Sequence, residues 1–115
     1  ELLTEKGMLI VAVPNCSSYD AGRYGEYWAA YDVPRHLWHF TPVTIQQLAS
    51  RHGFIMAARH PMPFDAFYVS MLSEKHRGSS CSFLKGMYAG TLAWFSTLGR
   101  KERSSSMIYV FRKKR

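Results

Sequence analysis

The chain has 115 residues, 47% hydrophobic and 20% charged, with 15 Lys and Arg against 8 Asp and Glu and a formal charge of +7. That length supports one core, and the composition excludes a disordered, collagen-like or disulfide-dense protein. Cys16 and Cys81 lie far apart with neither CxxC nor Cys/His ligand spacing, so two reduced thiols are expected, with no metal site.

The first residues carry no initiator Met and no signal-peptide pattern, and by Met8 the sequence is already inside an apolar run, which reads as a start in mid-domain. Met8 to Val13 is six uninterrupted apolar residues between Gly7 and Pro14-Asn15. It is too short for most helices and too apolar for a half-exposed strand, so it reads as a strand covered on both faces, the habit of parallel sheets in α/β proteins. Ligand crevices in open α/β sheets lie beyond the carboxyl ends of strands, which makes Pro14, Asn15, Cys16 and Ser17 crevice candidates.

From Tyr19 to Phe40 aromatic residues alternate with Asp20, Arg23, Glu26, Asp32, Arg35, His36 and His39. Aromatic faces with polar tips suit a small-molecule pocket or an interface; a surface helix packing its aromatics on a sheet fits the composition equally well. Pro34 disfavours helical geometry at Val33, so the segment divides into a short helix over Tyr24 to Tyr31 and an extended loop.

Thr41 is a good N-cap and Pro42 fits the first helical position. Ile45, Leu48, Ala49 and His52 then form one stripe before Gly53. Phe54 to His60 reads as a strand ended by Pro61 and Pro63. Two helices follow, Asp65 to Lys75 and Ser82 to Leu98, separated by a turn-rich stretch. The second carries Lys85 as its only charge. Its apolar run falls short of the roughly 20 residues that cross a bilayer, so it is expected to cap a pocket or pack on a core. A membrane-surface helix flanked by Arg100, Lys101 and Arg103 is the alternative. Met107 to Phe111 is a last apolar strand, and Arg112 to Arg115 a basic tail that reads as solvated; a specific nucleic-acid site lacks any accompanying reading motif.

Gly7-Met-Leu-Ile-Val-Ala-Val-Pro-Asn15 resembles the fifth strand of class I S-adenosylmethionine-dependent methyltransferases. Tyr27-Trp28, then Tyr31-Asp-Val-Pro-Arg-His-Leu-Trp-His-Phe-Thr-Pro42, resembles a segment of a bacterial branch of those enzymes. There an Asp-x-Pro-Arg-His-Leu-x-His-Phe-Thr-Pro motif precedes a helix and a Gly-Phe strand, and Gly53-Phe54 falls where that pattern puts it. The resemblance covers Gly7 to His60, the rest agreeing only in element order.

The resemblance implies an α/β fold, the C-terminal half of a Rossmann-like sheet of order 3-2-1-4-5-7-6, with strands 5, 6 and 7 present and the seventh antiparallel between the other two. Residues 1–60 would be the family-like core with its motif loop, 61–105 a helical insertion, and 106–115 the last strand and basic tail. The family's cofactor, S-adenosylmethionine, is gripped mainly by a glycine-rich loop after the first strand. No GxGxG occurs here, so the expected contribution is the acceptor side of the site, and the chain alone is expected to be inactive. His36 and His39 become the proton-handling candidates. Tyr27, Trp28 and Tyr31 become an aromatic wall, Arg35 a holder of an anionic group, and Pro14 and Asn15 cofactor neighbours. The alternatives are an Arg35–Asp32 ion pair that pins the loop, and ordinary hydrogen-bonding roles for the histidines.

The expected partner is a small-molecule or envelope-linked methyl acceptor in the cytoplasm, with contact to the inner membrane in the envelope-linked case. A basic nucleic-acid-binding or membrane-peripheral module without catalysis is the competing class. Without a neighbouring strand, Met8 to Val13 would present a flat apolar edge, so self-association through it is expected; a monomeric sedimentation profile at high concentration would contradict that.

Overall fold

The computed structural model describes residues 2–115. In chain order they form β1 (Met8–Pro14), α1 (Tyr19–Tyr24), α2 (Pro42–Arg51), β2 (Phe54–Met62), α3 (Asp65–His76), α4 (Ser82–Gly99) and β3 (Ser106–Lys113). Single 3₁₀ turns lie at Gly25–Tyr27, Ala29–Tyr31 and Lys101–Arg103. The described residues make a mixed α/β fold with four helices and one three-stranded antiparallel sheet of order β1-β3-β2.

The last strand in sequence is the middle one in space, antiparallel to both neighbours. Its period-2 pattern turns Met107, Tyr109 and Phe111 to one face, where they are buried beneath Ile45 of α2 with help from Val11, Val13, Phe54 and Met56. Thr41 and Thr44 cap α2 reciprocally: Thr41 Oγ1 accepts from the Thr44 amide at 3.2 Å, and Thr44 Oγ1 accepts from the Thr41 amide at 2.8 Å. The buried stripe of α2 is narrower than its sequence pattern, since Leu48 and His52 are exposed.

Three expectations need correction. β1 is covered on one face only: Met8 and Ile10, with Ile55 of β2, point to the opposite face and are at least half exposed, because α2 packs on a single side. The helix expected over Tyr24 to Tyr31 instead spans Tyr19–Tyr24; Ser18 caps it by accepting from the Ala21 amide, and Gly25, at φ +53°, ends it. β2 continues through Pro61 to Met62, which an edge strand permits, with a bulge between Met56 and Ala58.

α3 and α4 pair as a hairpin beside the aromatic segment. α4 buries its small residues, Gly86, Ala89, Gly90, Ala93 and Thr97, one stripe at helical spacing. A Cβ at Gly86 would lie 2.5 Å from Met71 Cα, and one at Gly90 2.8 Å from Phe67 Cα, so the two backbones approach closely. Leu84, Tyr88, Phe95 and Leu98 consequently face outward, each 58–69% exposed.

Two apolar clusters result. Tyr24, Trp28, Ala29 and Ala30 with Val69 and Ala89 form one, and α2 on the sheet forms the other. The molecule is accordingly elongated, 53 × 31 × 18 Å.

Gly90→Ala is expected to lower stability by about 1–3 kcal/mol through overpacking. Gly22→Ala, in α1 with open space around the added methyl, is expected to be neutral or stabilising by up to about 1 kcal/mol. Urea unfolding of the two variants reads the difference; equal effects would contradict the close helix pair.

Candidate functional site

Pro14 ends β1, and the next residues knit together segments from across the sequence. Asn15 is 1% exposed, and its side chain uses all of its hydrogen-bonding capacity. Nδ2 donates to the Glu102 carbonyl at 2.6 Å and the Ser104 carbonyl at 2.9 Å. Oδ1 accepts from the Ser17 amide at 3.0 Å and the Ser17 hydroxyl at 2.7 Å. Its backbone amide donates to the Ser105 carbonyl at 2.8 Å. Asn15 therefore holds the loop before β3 against the end of β1.

Asp20, fully buried in the first turn of α1, extends the same knot. Its Oδ2 accepts from Trp28 Nε1 at 2.8 Å and from the Ser105 hydroxyl at 2.7 Å, while Oδ1 makes no protein hydrogen bond. One carboxylate thus ties the Trp28 cluster to the segment leading into β3.

The motif loop joins at this point. The Cys16 amide donates to the Phe40 carbonyl at 3.0 Å, forming a parallel bridge between Asn15 and Phe40 that sets the loop beside the carboxyl end of β1. From the buried Trp28 an aromatic ladder leads outward: Tyr31 stands edge-on to Trp28 at 5.0 Å, and His39 edge-on to Tyr31 at 4.9 Å. His39 Nε2 lies 2.8 Å from the Tyr31 carbonyl. A carbonyl only accepts, so this bond assigns the proton of the neutral ring to Nε2 and leaves the Nδ1 lone pair uncommitted.

Tyr31 and His39 are thus brought into contact by the fold. His36 is half-buried, its backbone amide donating to the Asp32 carbonyl at 3.0 Å. Arg35 Nε is 3.2 Å from Asp32 Oδ2, but its side chain is 84% exposed, so the pair adds little stability and leaves guanidinium donors facing solvent. Tyr27 is exposed and Pro14 half-buried. Trp28, 1% exposed with its indole N–H given to Asp20, is a core residue rather than part of an exposed aromatic wall. Asn15 likewise has no side-chain polar group left over for a cofactor.

Sequence reasoning missed Asp20 and Ser105, the two groups that complete the knot. The Ser17-Ser18-Tyr19-Asp20 run carried a readable signal, a helix N-cap followed by an acidic first turn. It also passed over Trp38, which is 80% exposed on the motif loop. Cavities of about 770 and 760 Å³ lie toward the amino end of β1 and are lined in part by Lys6 and Lys113 to Arg115; neither borders the motif loop. Among the described residues no group of His, Cys, Asp and Glu is placed to hold a metal ion.

α3 supports the site from behind. Ser73 Oγ accepts from the Ala29 amide at 2.8 Å and donates to the Val69 carbonyl at 2.7 Å. Tyr24 donates to the buried Glu74 carboxylate at 3.0 Å. Burial, reinforced by that carboxylate, pushes the Tyr24 hydroxyl up to about 12; burial does the same to Tyr109, also to about 12.

No family model, curated protein or solved structure matches the chain.

Raised tyrosine values have a definite sign. Near pH 10 the unfolded chain begins to release these protons while the folded chain retains them, so stability is complete below that point and falls as pH rises toward 12. Ultraviolet titration of tyrosinate is expected to show two residues ionising late, together with alkaline unfolding, and Tyr24→Phe should remove one of them. Ionisation of every tyrosine near pH 10 in the folded protein would contradict the buried placements.

Proposed function

We propose that this chain supplies the acceptor side of an S-adenosylmethionine-dependent methyltransferase. The observation that carries the reading is the strand order. β3 lies antiparallel between β1 and β2, the order that the resemblance to class I methyltransferases asks of its seventh strand between the fifth and sixth. The motif loop bonded beside the carboxyl end of β1 adds support, because that end of a strand is where an open α/β sheet presents its ligands.

The residues at this end do not fit a seat for the cofactor. Asn15 is saturated, and the sequence has no glycine-rich loop, so in this reading S-adenosylmethionine is held by residues outside these 115. What the chain contributes is handling of the acceptor. His39, braced through Nε2 on the Tyr31 carbonyl, offers Nδ1 to take the proton of an O–H or N–H acceptor as that atom becomes nucleophilic. The outward guanidinium of Arg35 orients an anionic acceptor, and Tyr27 lies exposed on the same segment. Positioning is the larger part of such a transfer, and a loop fixed at both Cys16 and His39 suits it.

Calorimetric titration of S-adenosylhomocysteine tests the reading. The 115-residue chain is expected to bind none, and a longer polypeptide carrying these residues is expected to bind it tightly. In that polypeptide His39→Gln should lower methyl transfer by about 10²-fold or more and leave cofactor affinity unchanged. No binding to the longer polypeptide, or full transfer activity in the variant, would overturn it.

A further inference from the structure

We propose that the outer face of the α3–α4 hairpin docks in the plane of an anionic phospholipid surface, with phosphate headgroups seated in a basic cleft beside Tyr88. The proposal stands independently of the methyltransferase reading. The small stripe of α4 faces α3, so Leu84, Tyr88, Phe95 and Leu98 present bulky apolar surface to solvent. Leu84, Tyr88 and Phe95 recur at helical spacing, and bulky apolar residues exposed along one stripe mark an interaction face rather than scattered surface residues.

What covers that face is indicated by the charges around it. α4 contains no acidic residue. At its amino end a cleft of about 460 Å³ is lined by Arg23, Arg77, Lys85 and Tyr88, with Glu74 the single carboxylate. Glu74 is buried and already accepts the Tyr24 hydroxyl, so three cations outweigh it. The Arg23 guanidinium lies 6.0 Å from the Tyr88 ring centroid, placing positive charge directly against the apolar face. At the carboxyl end Arg100 and Lys101 are exposed.

Eighteen helical residues at 1.5 Å each give about 27 Å of apolar stripe between these two basic ends. Among the described residues no helix is long and apolar enough to cross a membrane. A stripe of apolar and aromatic residues bracketed by cations instead matches a helix lying at the headgroup boundary, with its side chains in the acyl region and its cations on phosphates. A protein partner would account for the apolar face but not for a three-cation cleft opening beside it.

The test is cosedimentation of the 115-residue chain with phosphatidylcholine vesicles, with and without phosphatidylglycerol. The chain should bind the anionic vesicles, bind neutral ones weakly, and dissociate as salt is raised. Arg77→Ser/Lys85→Ser should weaken binding about 25-fold, roughly fivefold for each cation. Leu84→Ser/Phe95→Ser should weaken it tenfold or more. All substituted residues are exposed, and circular dichroism should confirm that the variants keep the fold. Equal binding to both vesicle types, variants that bind like the parent, or no vesicle binding would overturn the proposal. So would a finding that the Leu84/Phe95 variant dissociates a dimer in sedimentation velocity, which would reassign the face to a second copy. Release from the vesicles by millimolar glycerol phosphate would reassign the cleft to a free phosphate and also overturn it.

Discussion

The buried polar knot formed by Asn15, Asp20, Trp28 and Ser105 is the constraint on which the rest of the molecule depends. The two apolar clusters are separate sets of residues, one being α2 on the sheet and the other the aromatic segment on the helical hairpin. Asp20 reaches into the second through Trp28 and into the approach to β3 through Ser105, while Asn15 anchors that approach to β1. A buried carboxylate costs free energy unless donors meet it, and a buried amide must find all its partners. The knot meets most of that demand internally, so the clusters are coupled by groups that are expensive to separate.

The candidate site inherits its geometry from this knot. Asn15 fixes where β1 ends, Cys16 takes up the Phe40 carbonyl one residue later, and Trp28, held by Asp20, begins the ladder through Tyr31 to His39. The imidazole is therefore positioned by a chain of contacts that runs back to the core. Arg35 differs: it sits on the exposed side of the loop with one surface ion pair, free to meet whatever the loop faces.

Much of the fold was legible because periodicity and caps are local signals. The three strands, the Thr41-Pro42 start of α2, and the placing of α3 and α4 were found within two residues. The strand order came only from the resemblance, since hydropathy carries no information on which strand is central. The helix over Tyr24 to Tyr31 was misplaced because its aromatic spacing masked the stronger Ser18 cap and the Gly25 stop. The orientation of α4 was hidden for a related reason. Bulk hydrophobicity points to the large residues as the buried face, whereas close backbone approach at Gly86 and Gly90 made the small ones the buried face. At the site, Asn15 was read as ligand-facing from its place beyond the end of a strand and Trp28 from its aromatic character, and both are 1% exposed.

The most direct test of this account is amide hydrogen exchange at Asn15 and Cys16, followed by NMR in the parent chain and in Asn15→Ala. If the side-chain amide of Asn15 ties the loop before β3 to the end of β1, and so holds the Cys16 amide in place to reach the Phe40 carbonyl of the motif loop, both amides are protected in the parent. In the variant the Cys16 amide should lose protection while amides of α3 and α4 keep theirs. Unchanged protection at Cys16 in the variant would contradict the knot as the organiser of the site.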